Sequence, residues 1–336
     1  MPDTIEVLGA GSPIVDLLTY VPEDFLAQVP GAKGGMELVD AACIDALCEK
    51  LPGEVHRAPG GAAANTIQNL AKLGVRTAML GMLGRDEAGT YYQQQFADAG
   101  CDISRFKIHP EKRTAQCLSL ITPDAERTMR TDLGAAAALD PASITVQDFV
   151  GCNHLHLEGY LLFNPALIRE ILQHARTAGC RVSLDLGSFE IVKGAMDILP
   201  GLLTEYVDAV FANEEEAAAY LGEDDPVKAL NRLAEVCDTV VVKLGKEGAL
   251  LKNDDGEYRI DAVQAAEVKD TTGAGDLWAS GFLYGWVRGY SLERCGRMGA
   301  VIGCEAVQHT GACLPPEACR RMADHLATLQ KEERNV

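Results

Sequence analysis

The sequence predicts an α/β protein with a mainly parallel sheet flanked by helices. Two observations support this fold class. Short runs rich in apolar and β-branched residues recur along most of the chain, and they alternate with longer segments in which apolar residues return every three or four positions. This alternation is typical of strand-helix-strand units whose strands lie parallel in one sheet.

Six short apolar runs are predicted to be strands of this sheet. In chain order they are IEVLGAG, TAMLGML around Ala78, NHLHLEG around Leu155, RVSLDLG around Leu184, VDAVFAN around Val210 and DTVVVKLG around Val241. The helical patterns between them are ANTIQNLAKLG, PALIREILQHARTAG, EEEAAAYLG and PVKALNRLAEVC. The second of these patterns places one apolar stripe on a helix, formed by Leu167, Ile168, Ile171, Leu172 and Ala175.

Two pairs of segments break this rhythm. IVDLLTYV with KGGMELVD, and AQCLSLITP with ERTMRTDLG, are predicted to form hairpins with one polar face. Together they would build a small sheet that acts as a lid, formed by about residues 14–40 and 108–134. The alternative is that they are edge strands of the main sheet. No repeat or flexible linker divides the chain, so residues 1–336 are predicted to form a single domain that carries this lid.

The charge balance restricts the classes of partner. The 336 residues include 49 acidic and 30 basic side chains, for a formal net charge of −19. Nucleic-acid binding depends on clustered Lys and Arg that displace counterions, so an extended nucleic-acid interface is not expected. A few basic residues at one place would still suffice to bind a small anion.

Cysteine usage and hydropathy indicate a cytoplasmic protein. The 11 cysteines include no Cys-x-x-Cys pair, which argues against zinc sites and thioredoxin-type chemistry and places most thiols in the core. The N-terminal residues MPDTIEVLGAG do not resemble a secretory signal. No apolar run approaches the roughly 20 residues of a membrane helix, so no membrane association is expected.

The most informative segment is DTTGAGDLWASGFLYGW, from Asp270 to Trp286. Its first half is turn-forming and its second half has helical periodicity, so Gly273, Ala274 and Gly275 are predicted to open a helix. Amide groups in a first helical turn lack partners within the helix, and glycines let an anion approach them closely. The segment is therefore a candidate phosphate site.

Asp276 follows in the first turn of the same predicted helix. In phosphoryl transfer the protein mainly positions groups and neutralises charge, while one carboxylate orients and deprotonates the attacking hydroxyl. Asp276 is placed to be that carboxylate. The alternative is a first-turn acid favoured only by the helix dipole.

A second glycine-rich turn, APGGAAANTIQNLAKLG, contains Gly60, Gly61 and Asn65 between a strand and a helix. Its amide groups and the Asn65 side chain could bind vicinal hydroxyls, and a helix-capping turn is the alternative. Asp16, in SPIVDLL, could accept two hydrogen bonds from a diol or could simply be solvated.

Other motifs argue against further classes. GAGS at Gly9 to Ser12 lacks the third glycine of a dinucleotide-binding turn, because Ile14 occupies that position. No GxxxxGK[ST] loop is present, since Glu247 follows Gly245 and Lys246, and this excludes an ordinary P-loop ATPase. His154 and His156 have no ligand-type neighbours and are interpreted as structural.

The two glycine motifs, in this order in an α/β chain, resemble the ribokinase-like or phosphofructokinase-B family of sugar and nucleoside kinases. The resemblance extends from the Gly9 strand to the GACLP segment near Leu314, and DTTGAGD is its most diagnostic stretch. It implies a doubly wound α/β domain with a β-sheet lid, and transfer of phosphate from ATP to an alcohol. It also implies Asp276 as the base and Gly273, Ala274 and Gly275 as an anion hole.

The resemblance further implies the acceptor site. Asp16, Gly61 and Asn65, together with the adjacent Gly60, would hold the acceptor hydroxyls. Arg127 in ERTMRTD would reach the transferred phosphate, and Arg130 is a second candidate for this role.

On the nucleotide side, Asn213 and Glu216 resemble the family's N-x-x-E motif, in which Glu216 would act on Mg²⁺ through water. The alternative for this pair is an ordinary acidic helix start. The ATP base would lie near Lys243, Gly245 and Gly248 in KLGKEG and near the C-terminal helices. Lys243 departs from the family, which usually has Thr there. Activation by K⁺, bound through main-chain carbonyls, is a further implication.

Within the family, the sequence is most similar to bacterial adenosine kinases. SPIVDLL, GGMELVD, RTMRTDLGAA, LEGYLL and VQHTGA carry this similarity. Ser12 replaces the usual Asn, and Tyr160 is a single aromatic where a pair often packs near the purine. Adenosine is therefore the expected acceptor, and a ribokinase- or fructokinase-type sugar kinase is the alternative. A non-catalytic sensor is disfavoured because the base and the anion hole are both present. The hairpins leave both a monomer and a homodimer open.

Overall fold

The structure is a computed structural model that describes residues 4–124 and 126–331. Its strands are β1 (Ile5–Ala10), β2 (Ile14–Tyr20), β3 (Met36–Leu38), β4 (His56–Gly60), β5 (Thr77–Gly84), β6 (Phe106–His109), β7 (Ala115–Ile121), β8 (Arg127–Asp132), β9 (Cys152–Glu158), β10 (Arg181–Asp185), β11 (Ala209–Asn213), β12 (Thr239–Lys243), β13 (Ala249–Asn253) and β14 (Gly256–Ile260).

The α-helices are α1 (Glu23–Leu26), α2 (Ala41–Cys48), α3 (Ala62–Lys72), α4 (Glu87–Asp98), α5 (Pro165–Thr177), α6 (Phe189–Ala195), α7 (Leu199–Tyr206), α8 (Glu214–Leu221), α9 (Pro226–Ala234), α10 (Ala274–Trp286), α11 (Leu292–Ala306) and α12 (Pro316–Lys331). Short 3₁₀ turns lie at Ala136–Ala138, Pro141–Ser143, Val146–Asp148, Gly159–Phe163 and Gly245–Glu247.

Nine strands form the large sheet, in the order β14-β13-β12-β11-β10-β9-β1-β5-β6. Neighbours from β6 to β12 pair in parallel, and β13 and β14 add an antiparallel edge. All six strands predicted from the apolar runs are present, as β1, β5, β9, β10, β11 and β12, and the predicted α/β fold class is confirmed. Strands β6, β13 and β14 were not predicted, because their apolar runs are short or interrupted by polar residues.

The order of the strands fixes where a ligand can bind. From β1 the chain continues to β5 and β6 on one side, and it later builds β9 to β12 on the other side. Connections that leave in opposite directions open a crevice at the carboxyl ends of the strands, and α/β proteins bind ligands there. This rule predicts a ligand near the carboxyl ends of β1 and β9.

Five strands form a second, smaller sheet, in the order β3-β8-β7-β2-β4. The predicted pairing of β7 with β8 as an antiparallel hairpin is confirmed. The predicted hairpin of β2 with β3 is wrong, because β2 pairs with β4 and β7, while β3 pairs in parallel with β8. The alternative of edge strands on the main sheet is also wrong. The predicted lid segments omit β4, and residue 125 within them lies outside the described residues.

Apolar side chains fill both faces of the large sheet. Along β1, Leu8 and Ala10 belong to the core beneath α5 and α7, whereas Val7 belongs to the core beneath α3 and α10. This alternation is the period of two that a strand covered on both faces requires. A third cluster joins α10, α11 and α12 through Leu277, Ile302 and Met322.

The cysteines fit the expected reduced core. All eleven carry free thiols, and six of them are buried. Within the described part of the chain, no helix combines the length and apolar character needed to cross a membrane.

Candidate active site

The turn before α10 presents amide groups to a cleft. Gly273 precedes the helix with φ +71°, and no side chain caps the helix start. The amide of Ala274 donates to the carbonyl of Thr271 at 3.1 Å, so it is engaged within the turn. Within residues 4–124 and 126–331, no hydrogen bond leaves the amides of Gly275 or Asp276. Two neighbouring donors at a helix N-terminus can therefore receive an anion.

Asp276 is held from the side of α3. Asn65 Nδ2 donates to Asp276 Oδ2 at 2.9 Å, and the Thr66 hydroxyl donates to the Asp276 carbonyl at 3.0 Å. One turn further along, Asn69 Nδ2 donates to the Ser280 hydroxyl at 2.7 Å. These contacts join the two predicted glycine motifs, which are about two hundred residues apart in sequence.

Burial raises the pKa of Asp276 to about 8, and the charge of Asp185 acts in the same direction. The hydrogen bond from Asn65 and the charge of Lys243 oppose this rise. A carboxyl group with such a pKa is a stronger base than a solvated aspartate, so it is suited to accept a proton from a hydroxyl near neutral pH.

A cavity of about 930 Å³ runs along the carboxyl ends of β10, β11 and β12 to the start of α10. It contains ten of the residues predicted to form the site: Tyr160, Asn213, Glu216, Lys243, Gly245, Gly248, Gly273, Ala274, Gly275 and Asp276. Its far end is lined by Val268 from the loop between β14 and α10 (residues 261–273, the 260s loop) and by Trp278 of α10. Ala300, Gly303 and Cys304 of α11 and the following Val307 complete this end. Helices α10 and α11 therefore border the cavity. The sequence predicted that the base of ATP would lie near the C-terminal helices.

The remaining predicted residues do not line this cavity. Asn65 reaches it through Asp276, and Gly61 lies next to the lining residue Ala62. Asp16 fills the space beside Gly60, where a Cβ atom would lie 2.3 Å from Asp16 Oδ2. Burial raises the pKa of Asp16 to about 7, and Arg127 partly offsets this rise.

Arg127 and Asp16 lie on the same face of the small sheet. Asp16 is in register with Cys117, and Ile121, four residues along the same strand, is in register with Arg127. Residues an even number apart on a strand share a face. The Arg127 guanidinium is paired with Asp270, which also accepts hydrogen bonds from the amides of Thr272 and Gly311 at 3.0 and 2.7 Å. The small sheet is thereby tied to the turn before α10.

The prediction for Arg130 is wrong. Arg130 is buried and hydrogen-bonded to the carbonyls of Pro30 and Met129. It is three residues from Arg127 on β8, and an odd separation turns its side chain to the opposite face of the small sheet. His154 and His156 are structural, as interpreted, because both are buried and hydrogen-bonded to the Ser183 hydroxyl at 2.8 and 2.9 Å.

Asn213 and Glu216 form a capping box at the start of α8. Asn213 Oδ1 accepts from the Glu216 amide, and Glu216 Oε2 accepts from the Asn213 amide, each at 2.8 Å. Asn213 Nδ2 also donates to Glu216 Oε1 at 2.8 Å. The alternative for this pair, an ordinary acidic helix start, therefore accounts for these hydrogen bonds. The motif also borders the cavity, and burial raises the pKa of Glu216.

The KLGKEG loop follows β12. Lys243 Nζ lies 2.7 Å from Asp185 Oδ2, and both side chains are nearly inaccessible. Gly248 has φ +92°, and a Cβ atom there would lie 1.9 Å from the carbonyl oxygen of Ile260, so this glycine is required by the fold of the loop. Gly245 also has a positive φ, with open space around it.

Two buried carboxylates at strand ends were not predicted. Glu158 ends β9 and accepts from the amides of Ser12 at 2.7 Å and Ala63 at 3.1 Å. It thereby caps α3, whose own N-cap residue Gly61 has no side chain, and burial raises its pKa to about 7. Asp185 ends β10 beside the cavity. Their signal was an acid at the end of an apolar strand, because the carboxyl ends of parallel strands meet at one edge.

The residues fit a magnesium ion bound together with a phosphate. In the described residues, no group of three or more His, Cys, Asp or Glu side chains is arranged to hold a metal by itself. Mg²⁺ keeps several waters and usually binds one or two carboxylates plus substrate phosphates. Glu216 and Asp185 provide carboxylates at the wall of the cavity.

Comparisons with known proteins identify relatives over almost the whole chain. A solved structure from Rhizobium etli CFN 42, described as a probable sugar kinase, has a TM-score of 0.86 and 32% identity and covers 98% of this chain and 100% of its own. The adenosine kinase of Sinorhizobium meliloti has a TM-score of 0.84 and 31% identity, with coverage of 95% and 99%. The adenosine kinase of Saccharomyces cerevisiae is 28% identical over 337 residues, 94% of this chain and 98% of its own.

The fold is therefore ribokinase-like, with a large mixed sheet and a second, smaller one. The family model for pfkB family carbohydrate kinases matches residues 36–319. This range contains both glycine motifs and begins after β1 and β2. The chain thus belongs to the PfkB family of carbohydrate kinases, phosphotransferases that act on an alcohol group of a sugar or a nucleoside.

Proposed function

We propose that the protein transfers the γ-phosphoryl group of ATP to the primary hydroxymethyl group of adenosine, giving AMP and ADP. The observation that carries this proposal is the placement of Asp276. It lies beside the unpaired amides at the start of α10 and is hydrogen-bonded to Asn65 of the acceptor-side helix α3 at 2.9 Å.

The chemistry assigned to these residues is proton removal and charge stabilisation. The acceptor would be held by Asp16, by Asn65 and by the turn at Gly60 and Gly61. Asp276 would take the proton of the terminal hydroxyl as its oxygen bonds to the γ-phosphorus. The amides of Gly275 and Asp276 would stabilise the charge that develops on the phosphoryl oxygens.

Nucleotide binding is assigned to the cavity of about 930 Å³. The ATP base would lie between the 260s loop and α11, and the triphosphate would point along Asn213 and Lys243 to Gly275. Magnesium, when bound through water at Glu216, would supply charge neutralisation of the phosphates. Arg127, on the small sheet, would close onto the phosphoryl group and help exclude water.

Adenosine is favoured over a free sugar by the surroundings of Tyr160. The whole-chain matches do not decide between the two acceptors, because they include both a probable sugar kinase and an adenosine kinase. Tyr160 borders the cavity and is 40% exposed. Its ring packs near Gly187, where a Cβ atom would lie 3.5 Å from Tyr160 Cε2. An aromatic face is therefore available for stacking a base.

A sugar kinase is the second candidate, because the hydroxyl-binding residues do not distinguish a nucleoside from ribose or fructose. Adenosine, inosine, ribose and fructose should therefore be compared with ATP in an assay that detects ADP. We expect the kcat/KM for adenosine to exceed that for ribose and fructose by about 10²-fold or more, because loss of the base removes its stacking and polar contacts. A higher kcat/KM for ribose or fructose would assign the second candidate.

A further inference from the structure

Lys243 and Asp185 form a buried ion pair at the active site that the reaction described above does not explain. Lys243 ends β12 and Asp185 ends β10, and the strand between them is β11. The 2.7 Å contact joins side chains that are only 12% and 10% exposed. A buried pair of this kind seldom repays its desolvation, so stability alone is a weak reason for it.

The ammonium group of Lys243 lies against the turn that begins α10. A Cβ atom placed on Gly275 would be 3.2 Å from Lys243 Nζ. The carboxylates of Asp185, Glu216 and Asp276 all interact electrostatically with it. One cation is therefore placed among three acids at the point where the amides of Gly275 and Asp276 are unpaired.

The ammonium group of lysine is a compact point charge, and it can neutralise a phosphate. That of Lys243 is held by one carboxylate at a wall of the cavity, so an incoming anion can compete for it.

We propose that Lys243 binds the γ-phosphoryl group of ATP during transfer and that Asp185 holds its ammonium group in place beforehand. This inference rests on the proposed function. The phosphoryl group must lie between the hydroxyl that Asp276 deprotonates and the departing ADP, and Gly275 adjoins that position. The bond from the acceptor oxygen to phosphorus forms, the bond from phosphorus to the ADP oxygen breaks, and the proton goes to Asp276.

The test is Lys243→Met, which keeps the length of the side chain and removes its charge. We expect kcat to fall by about 10- to 100-fold, as for loss of one donor to a developing charge. Calorimetry without acceptor gives the dissociation constants of ATP and ADP. Comparing them shows whether Lys243 contacts the γ-phosphate, because only ATP carries that group. Binding of ATP should weaken about tenfold, since one charged hydrogen bond is lost, and binding of ADP should change less than about twofold.

Two further variants control for folding. Lys107→Met removes a comparable ion pair, in which Lys107 lies 2.6 Å from Asp148 outside the cavity, and it should leave kcat and nucleotide binding unchanged. Lys243→Arg keeps the positive charge and should retain more activity than Lys243→Met. If Lys243→Met is misfolded, Lys243→Gln replaces it in the comparison of ATP with ADP, with the same expected result.

The inference is overturned if folded Lys243→Met keeps kcat within threefold of the wild type, or if it loses ATP and ADP equally. Because the binding comparison contains no acceptor, it tests Lys243 even if adenosine is the wrong acceptor. Failure of the wild type to phosphorylate any acceptor in the panel would instead contradict the proposed function.

Discussion

Gly61 illustrates how a single residue shapes the acceptor side of the site. Its φ is +106°, and a Cβ atom would lie 2.5 Å from the carbonyl oxygen of Ser12. The backbones of the turn before α3 and of the β1-β2 connection therefore approach more closely than any residue with a side chain allows. Glu158 fixes the same two segments from the other side, through the amides of Ser12 and Ala63.

Gly61→Ala should therefore lower the free energy of unfolding more than the same substitution at a glycine that has a positive φ but open space around it. Gly74 is the matched control, with φ +81° and no atom within 4 Å of its Cβ position. We expect Gly74→Ala to lower the free energy of unfolding by about 1 kcal/mol, and Gly61→Ala by about 2 to 4 kcal/mol because strain and the clash add. Urea denaturation measures the free energy of unfolding of both variants. Equal decreases would show that the contact with Ser12 does not restrict the side chain at position 61.

Sequence reasoning at this scale identified residues in local motifs and missed residues that act across elements. Gly273, Gly275 and Asp276 share one turn, so their chemistry could be predicted from adjacent letters. Glu158 and Asp185 gain their environment only when parallel strands align. The Asp270 interaction with Arg127 joins residues 143 positions apart and had no local signal.

At the scale of elements, the small sheet shows both the power and the limit of strand patterns. The alternation of β7 and β8 predicted their pairing, because a short turn permits only that partner. The segment between β2 and β3 is longer and contains α1, so β3 is free to pair with β8. Periodicity specifies which face of a strand is buried, but the connection decides which strand lies beside it.

Arg127→Gln tests whether the small sheet contributes to the reaction. Asp270 keeps its hydrogen bonds from the amides of Thr272 and Gly311, so the turn should remain folded. We expect kcat/KM for ATP to fall by about 10- to 100-fold, because a charged group near the phosphate is lost.

Arg113→Gln serves as the control for Arg127→Gln. Arg113 makes a bidentate contact with Asp45 at 2.7 and 3.1 Å at an exposed position just before β7. Its loss should leave kcat/KM unchanged. A similar kinetic loss in both variants would mean that the effect of Arg127 comes through the stability of the small sheet.

At the scale of the whole molecule, a chain with net charge −19 contains a site suited to polyanions. The groups that could bind an anion lie close to one another: the unpaired amides at the start of α10, the ammonium group of Lys243 and the guanidinium of Arg127. Net charge argues only against a broad basic surface, and it says nothing against a small anion site. Burial raises the pKa values of Glu216 and Asp276, and the charge of the neighbouring Asp185 acts in the same direction.

This arrangement links Asp276 to stability. Burial raises the pKa of Asp276 to about 8 in the native protein, whereas an unfolded aspartate titrates near pH 4. Between these values the native state binds a proton that the unfolded chain has released, so this carboxyl lowers the free energy of unfolding as pH rises. An asparagine has no such penalty, and it can still accept the hydrogen bond from Asn65.

Asp276→Asn is therefore the most direct test of the site. With ATP and the best acceptor of the panel, we expect kcat to fall by about 10²- to 10⁴-fold, because the base is lost. The thermal midpoint of the variant should equal or exceed that of the wild type, by a margin that grows from pH 5 to pH 8. A folded variant with kcat within tenfold of the wild type would contradict the assignment of Asp276 as the base.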